Sequence, residues 1–251
     1  MSIVCLICFR SYGVQILSVA SPPEATYWSE MSKIAYRLKS VYLAYMAKPK
    51  LPIPPYKHIV QLGDPILRYK AEPVPLSEIR TPEFCKIISL MAKALEIYDI
   101  AGLSAPQIGV GKRIMAFRYP KSSESTYDEK SYKAMEMEEV PLQFWVNPEL
   151  KILDWNKVSH SEGCASLKGL CADVPRYKKV ALKGYDELGQ EKTLEASGWT
   201  ARIIQHEIDH LNGDFFVDKM VPKTLQNSGW QLINLRHGRI KLDFGPFNMD
   251  T

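Results

Sequence analysis

His206, Glu207 and His210 stand in the pattern His-Glu-x-x-His, completed by Ile208 and Asp209. On a helix, residues four apart share a face, so the two imidazoles can grip one metal ion while the glutamate between them carries protons. The chemistry of such a set is hydrolysis by an activated water. Two solvated surface histidines, or two core histidines satisfied by backbone carbonyls, are the plain alternatives. The surrounding run, 198–211, favours a metal site. Trp199, Ile203, His206 and His210 fall at offsets 0, 4, 7 and 11 and so share one face. Imidazoles in an apolar stripe need partners for their ring nitrogens, and a metal supplies one to each.

A catalytic site of this kind needs a third protein ligand and leaves a fourth position for water. The residues after His210, Leu211-Asn212-Gly213-Asp214, offer no further histidine at short spacing. Upstream, Ser161-Glu162-Gly163-Cys164-Ala165-Ser166 sets a cysteine among small and polar residues, and a thiolate is a strong ligand for iron or zinc. A lone cysteine is more often a small buried hydrophobe, the plain reading for Cys85 and Cys171. A third segment, Gly102-Leu103-Ser104-Ala105-Pro106-Gln107-Ile108-Gly109, is a glycine-bounded loop. In it Gly102 permits close backbone approach to a ligand, and Gln107 offers an uncharged donor to a developing oxyanion. Such turns also simply join elements, so this segment alone is weak.

Taken in order, the loop from Gly102, the Glu-Gly-Cys segment from Glu162 and the His-Glu-x-x-His helix resemble the peptide deformylases. The resemblance runs from about Leu62-Gly63-Asp64-Pro65-Ile66-Leu67-Arg68 to Asp218-Lys219-Met220, well over half of the chain. Ile100-Ala101-Gly102 keeps only the second glycine of the bacterial Gly-x-Gly opening, and Ala165 stands where leucine is common; both departures look like the animal mitochondrial branch. The resemblance implies a metal-dependent hydrolase that removes the N-formyl group from the initiator methionine of new polypeptides and releases formate. It implies Cys164, His206 and His210 as ligands of one divalent ion, Fe2+ or Zn2+, with Co2+ or Ni2+ able to substitute. Glu207 would carry the proton, and Gln107 with the Ala165 N–H would face the oxyanion. An extended N-formylmethionyl peptide would add as a strand near Gly102 and Ser161 to Gly163 and drop its methionine into an apolar pocket. By position on the helix, Trp199 and Ile203 would line that pocket. Glu162, Arg176 and Asp209 are a candidate supporting shell, explained equally well as structural ion pairs. Two rivals stand beside this reading: the same site on other amides, and a structural metal closed by a fourth side chain such as Cys171.

Several elements must position these residues. Thr81 and Pro82 open a helix that places Phe84, Ile87, Ile88, Met91, Leu95 and Tyr98 on one face, ahead of the Gly102 loop. Short strands are expected at 113–119, 143–146 and 150–155, with the polar stretch 120–140 a mobile surface loop. Strands at 178–185 and 190–196 form a hairpin leading into the histidine helix, which ends near Asn212-Gly213. The expected class is α+β, short antiparallel sheets around a central metal-binding helix.

With 251 residues, 46% hydrophobic and 24% charged, the chain suits one soluble domain with an appendage. A net charge of +4 is too mild for a nucleic-acid footprint, and five irregularly spaced cysteines argue against a disulfide framework. No run of 18 apolar residues marks a membrane span. Residues 31–63 lack Asp and Glu, and Ile34, Leu38, Val41, Tyr42 and Tyr45 oppose Lys33, Arg37 and Ser40 on a helical wheel, the pattern of a mitochondrial presequence. A secretory signal is the rival for residues 1–30. The expected organisation is a targeting segment at 1–50, with Met31 as an alternative start, a catalytic domain at 51–225 and an extension at 226–251, working in the mitochondrial matrix. Oligomeric state is not legible.

Overall fold

The computed structural model describes residues 52–245. The expected presequence helix and its secretory rival lie outside these residues. Within them, six strands form one antiparallel sheet: β1 Gly102–Ser104, β2 Ile114–Tyr119, β3 Val140–Gly163, β4 Leu170–Tyr185, β5 Glu191–Ser197 and β6 Gln226–Asn227. Their order is β1-β2-β3-β4-β5, with β6 pairing β4. Five helices accompany the sheet: α1 Pro82–Ile97, α2 Glu129–Ala134, α3 Gly198–Asn212, α4 Phe216–Lys219 and α5 Trp230–Leu235. The class is α+β, with α3 packed on the sheet.

The strands expected at 143–146 and 150–155 belong to one strand, β3, of 24 residues. Asn147-Pro148 reads as a break, yet the structure accommodates it as a bend. Asn147 takes φ 51°, and its side chain accepts from Val74 N–H and donates to Val74 C=O, both at 2.8 Å. Up to Val146 the strand pairs β2; beyond it, the partner is β4, through register shifts that bend the sheet. The far end of β3, which carries Ser161 to Gly163, meets α3 through Glu162.

Strand β2 is apolar on both faces because both are covered. Ile114 and Ala116 join the core under α1, with Phe84, Met91 and Leu95. Met115 and Phe117 join the core under α3, with Trp145, Ala201, Ile204, Ile208 and Leu211. Helix α1 opens as expected, Thr81 Oγ1 accepting the Phe84 N–H at 3.3 Å with Pro82 in the first turn. The β4–β5 turn is held by Asp186, whose carboxylate accepts from Leu188 N–H and Gln190 N–H. Helix α3 follows at once and stops at Gly213, which takes the left-handed conformation at φ 84°.

The stretch expected as a mobile loop, 120–140, is instead folded against the start of α3. Asp128 caps α2 through the Ser131 N–H at 3.0 Å. Tyr132 is buried and donates its hydroxyl to Pro120 C=O at 2.9 Å, while Glu136 C=O accepts the Trp199 N–H. Its charged composition hides these few anchoring contacts.

Candidate active site

One face of α3 presents His206 and His210, ring centroids 4.9 Å apart, toward the end of β3, where Cys164 follows. Candidate ligand atoms of the three lie within 4.8 Å of one another, and Cys164 Sγ stands 3.2 Å from His210 Nε2. Atoms bound to a single ion at about 2.0–2.3 Å stand roughly 3.3–3.8 Å apart, so this spread suits one shared ion. Burial first, then the His206 charge, holds His210 well below the usual imidazole range, which leaves it a neutral donor. Burial would lower His206 too, but its hydrogen bonds and charge interactions with Cys164 and Glu162 raise it well above that range. A proton thus favours this site when no metal neutralises it, and a cation can take that proton's place. The residues fit a divalent ion. Cys171, across the ladder from Gly163, lies outside the group. His210 Nδ1 has no hydrogen-bond partner among the described residues.

Glu207 is buried beside β1. Ser104 Oγ donates to Glu207 Oε2 at 2.5 Å. A side chain at Gly102 would overlap Glu207 Oε1, so the glycine is what lets this carboxylate approach the strand. Burial raises the Glu207 carboxyl to about 7, with the His206 charge and the Ser104 hydrogen bond opposing the rise. Gln107 is aimed by its own loop. Its Oε1 accepts the Ser104 N–H at 2.8 Å, which leaves Nε2 to donate to Ser166 Oγ at 3.1 Å, with Cys164 Sγ 3.7 Å away.

Behind the histidines lies a buried ionic network. Glu162 accepts two bonds from Arg176, at 2.9 and 2.8 Å, and one from Arg202 at 2.7 Å. Its Oε2 also stands 3.0 Å from His206 Nδ1, which turns that ring's Nε2 toward the donor cluster. Burial opposes ionisation of Glu162, but the hydrogen bonds and charges of Arg176 and His206 outweigh it and hold the carboxyl well below the ordinary range. Arg176 reaches on to Asp209 at 2.5 Å, and Lys219 pairs the other Asp209 oxygen. The three residues read as a supporting shell are therefore also an ion-pair network.

A cavity of about 430 Å3 opens over these groups. Gly102, Ser161, Gly163, Ala165, Trp199 and Ile203 all line it, together with Gln107, Cys164, His206 and Glu207. Arg202 and Tyr127 line it as well, and neither is among the residues expected from sequence. Arg202 sits four residues before His206 on the buried stripe, so helical spacing could have found it. Tyr127, whose ring meets Trp199 edge-on at 6.2 Å, comes from a charged stretch with no periodic pattern. Ser104 and Ser166 lie inside the motifs, but only their buried polar character hinted at a task.

Two backbone edges flank the cavity. β1 is the end strand of the sheet, and the last residues of β3 pair β4 on one side only. Because Arg118 N–H donates to Ala101 C=O, alternation turns the backbone groups of Gly102 away from β2 and toward the open side. An extended peptide can add there as a strand.

Fold and site together define a class, an α+β hydrolase in which one cysteine and two histidines of a helix are placed to hold a metal ion. The chain belongs to the polypeptide deformylase family, whose model matches residues 56–226. It is 39% identical to the human mitochondrial peptide deformylase over 73% of this chain and 75% of that one. It is 42% identical to the chloroplastic/mitochondrial peptide deformylase 1A of Arabidopsis thaliana over 71% of this chain and 65% of that one. Among solved structures, it is similar to a class I type b peptide deformylase of Acinetobacter baumannii with Met-Ala-Ser bound, at a TM-score of 0.57 and 27% identity, covering 64% of this chain and 97% of that one.

Proposed function

We propose that this chain hydrolyses the N-formyl group from the amino-terminal methionine of newly made polypeptides, releasing formate, in the mitochondrial matrix. The observation that carries the reading is the meeting of Cys164, His206, Glu207 and Gln107 in one cavity flanked by free backbone edges, with His210 completing the ligand cluster beside it. The bound Met-Ala-Ser of the Acinetobacter relative supports a methionine-led peptide as ligand.

Cys164, His206 and His210 hold one divalent ion, Fe2+ or Zn2+, both suited to a thiolate and two imidazoles. When bound, that ion supplies Lewis acidity and lowers the pKa of a coordinated water toward neutrality. Glu207 removes a proton from the attacking water, and the water oxygen bonds to the formyl carbon. Gln107 Nε2 and the Ala165 N–H donate to the oxyanion so formed. Glu207 then returns the proton to the nitrogen as the carbon–nitrogen bond breaks, leaving formate and a free amino terminus. The backbone of Gly102 and of Ser161 to Gly163 holds the peptide extended, and Trp199 and Ile203 receive the methionine side chain.

In this reading residues 1–50 target the chain, 51–225 form the catalytic domain and 226–251 extend it. The test is formate release from a formyl-methionyl tripeptide by the zinc-loaded chain beside Glu207→Gln. The substitution is expected to lower kcat by about 10²–10⁴-fold with bound metal per chain unchanged. Equal turnover by the variant, or equal cleavage of the acetylated tripeptide, would overturn the reading.

A further inference from the structure

A second cavity, of about 500 Å3, borders the first. The two share Asp99, Ile100 and Ala101 and so adjoin at the backbone just before β1. The part beyond these residues contains none of the candidate ligands, proton carriers or oxyanion donors. Its walls come from the end of β2, from β3 near Val140 and Leu142, and from residues 124–126 of the folded stretch before α2. That stretch walls both, since Tyr127 lines the first cavity while Ser125 and Thr126 line the second. It is anchored at each end, by Tyr132 on Pro120 and by Glu136 on Trp199, with Thr200 Oγ1 donating to Glu138 at 3.0 Å.

A peptide lying on the open edge of β1 has one direction in which to continue. Toward higher numbers the strand is blocked. Leu103, Ser104 and Ala105 are fully buried, and the Ser104 N–H is already taken by Gln107. Toward lower numbers, Ala101, Ile100 and Asp99 line both cavities. Asp99 takes φ 48° in the turn before β1, so beyond Gly102 the peptide continues past the strand's end, and its own first three residues, extended at about 3.3 Å each, span roughly 10 Å. A chain whose first residue sits at Glu207 therefore enters the second cavity at about its fourth.

We propose that this second cavity is a downstream subsite that seats the substrate polypeptide from about its fourth residue onward. The inference rests on the functional reading above. The chemistry of the walls suits a polypeptide. Leu142, 43% exposed, and the adjoining Val140 offer an apolar seat for a side chain. The Thr126 hydroxyl can bond a passing backbone, while that of Ser125 accepts the Tyr127 N–H. Arg118 lines the same walls but is engaged by Leu95 C=O at 3.2 Å and by Asp99 at 3.6 Å, so no unpaired cation calls for a phosphate.

The experiment uses the zinc-loaded full chain with a formyl-methionyl tripeptide and a formyl-methionyl octapeptide carrying leucine at positions four and five. Two surface substitutions enter the second cavity, Leu142→Asp and Thr126→Trp. For the parent, KM for the octapeptide is expected to be about tenfold below that for the tripeptide. Both variants should abolish that advantage while leaving kcat and KM for the tripeptide at parental values. An octapeptide advantage that survives in both variants, or a parent with no such advantage, would overturn the subsite. A parent inert toward the tripeptide would overturn the functional reading, and the subsite with it.

Discussion

At the scale of single residues, the site is an exercise in aiming charged and polar atoms. Glu207 has one side-chain partner for its Oε2, the Ser104 hydroxyl, and no room to withdraw, because β1 passes it at Gly102. A hydrogen bond to a charged group contributes roughly 1.5–3 kcal/mol, which converts to about 10–100-fold in rate if it is what holds the carboxylate in place. Ser104→Ala is therefore expected to lower kcat by that factor, with KM and metal per chain unchanged. Steady-state kinetics beside elemental analysis read both, and a loss of metal instead would mean that Ser104 supports the fold rather than Glu207. Gln107 shows the same logic, its oxygen spent on Ser104 so that its nitrogen must point at Ser166 and Cys164. The pair Glu162 and His206 repeats it once more, a buried carboxylate fixing which ring nitrogen faces the cysteine.

At the scale of elements, α3 does most of the positioning and is itself fixed at both ends. Its first turn is tied to the stretch before it through Glu136, and its last turn ends on Gly213. At φ 84° a left-handed residue other than glycine costs about 1–2 kcal/mol, and here an added Cβ would also come within 2.6 Å of the Arg68 carbonyl oxygen. Gly213→Ala should lower the melting temperature by about 4 °C or more. An unchanged melting temperature would show that the helix end yields freely. Periodicity placed this helix, its cap and its buried stripe, and the hairpin before it, because those patterns repeat within a few residues. It did not join 143–146 to 150–155, since Asn147-Pro148 carries every local mark of a turn. The contacts of Asn147 with Val74 and of Asn147 and Pro148 with Arg113 turn that break into a bend.

At the scale of the whole molecule, the candidate ligands bridge the end of β3 and α3, which the buried Glu162 network already joins. Cys164 follows the long β3, and both histidines ride on α3, so a bound ion adds a further tie between the sheet and its helix. An ion that binds only the folded chain, present at 1,000 times its dissociation constant, adds about 4 kcal/mol, or on the order of 10 °C for a domain of this size. Chelation should lower the melting temperature by that amount and added zinc should restore it, whereas Cys164→Ala should respond to neither. A melting curve indifferent to chelator in the parent would argue that the three side chains hold no ion. Two cores, one under α1 and one under α3, meet through β2, and the cleft lies where the open edge of β1 faces the end of β3.

By itself the sequence determined the chemistry available and the local geometry of its carriers. Two histidines four apart on a buried helical stripe, a glutamate between them, a cysteine among small residues and a glutamine in a glycine-bounded loop are all legible, because helical spacing and capping act over a turn or two. What only the tertiary structure decided is which of these meet. Cys164 reaches His210 across 46 residues, and Ser104 reaches Glu207 across 103. Those distances are closed by the register of β3 on β4 and by the packing of α3 on β1 and β2, which no local pattern encodes. The charged stretch 120–140 shows the same limit. It reads as a loop because its few anchors, Tyr132 and Glu136, have partners that only the folded chain brings near.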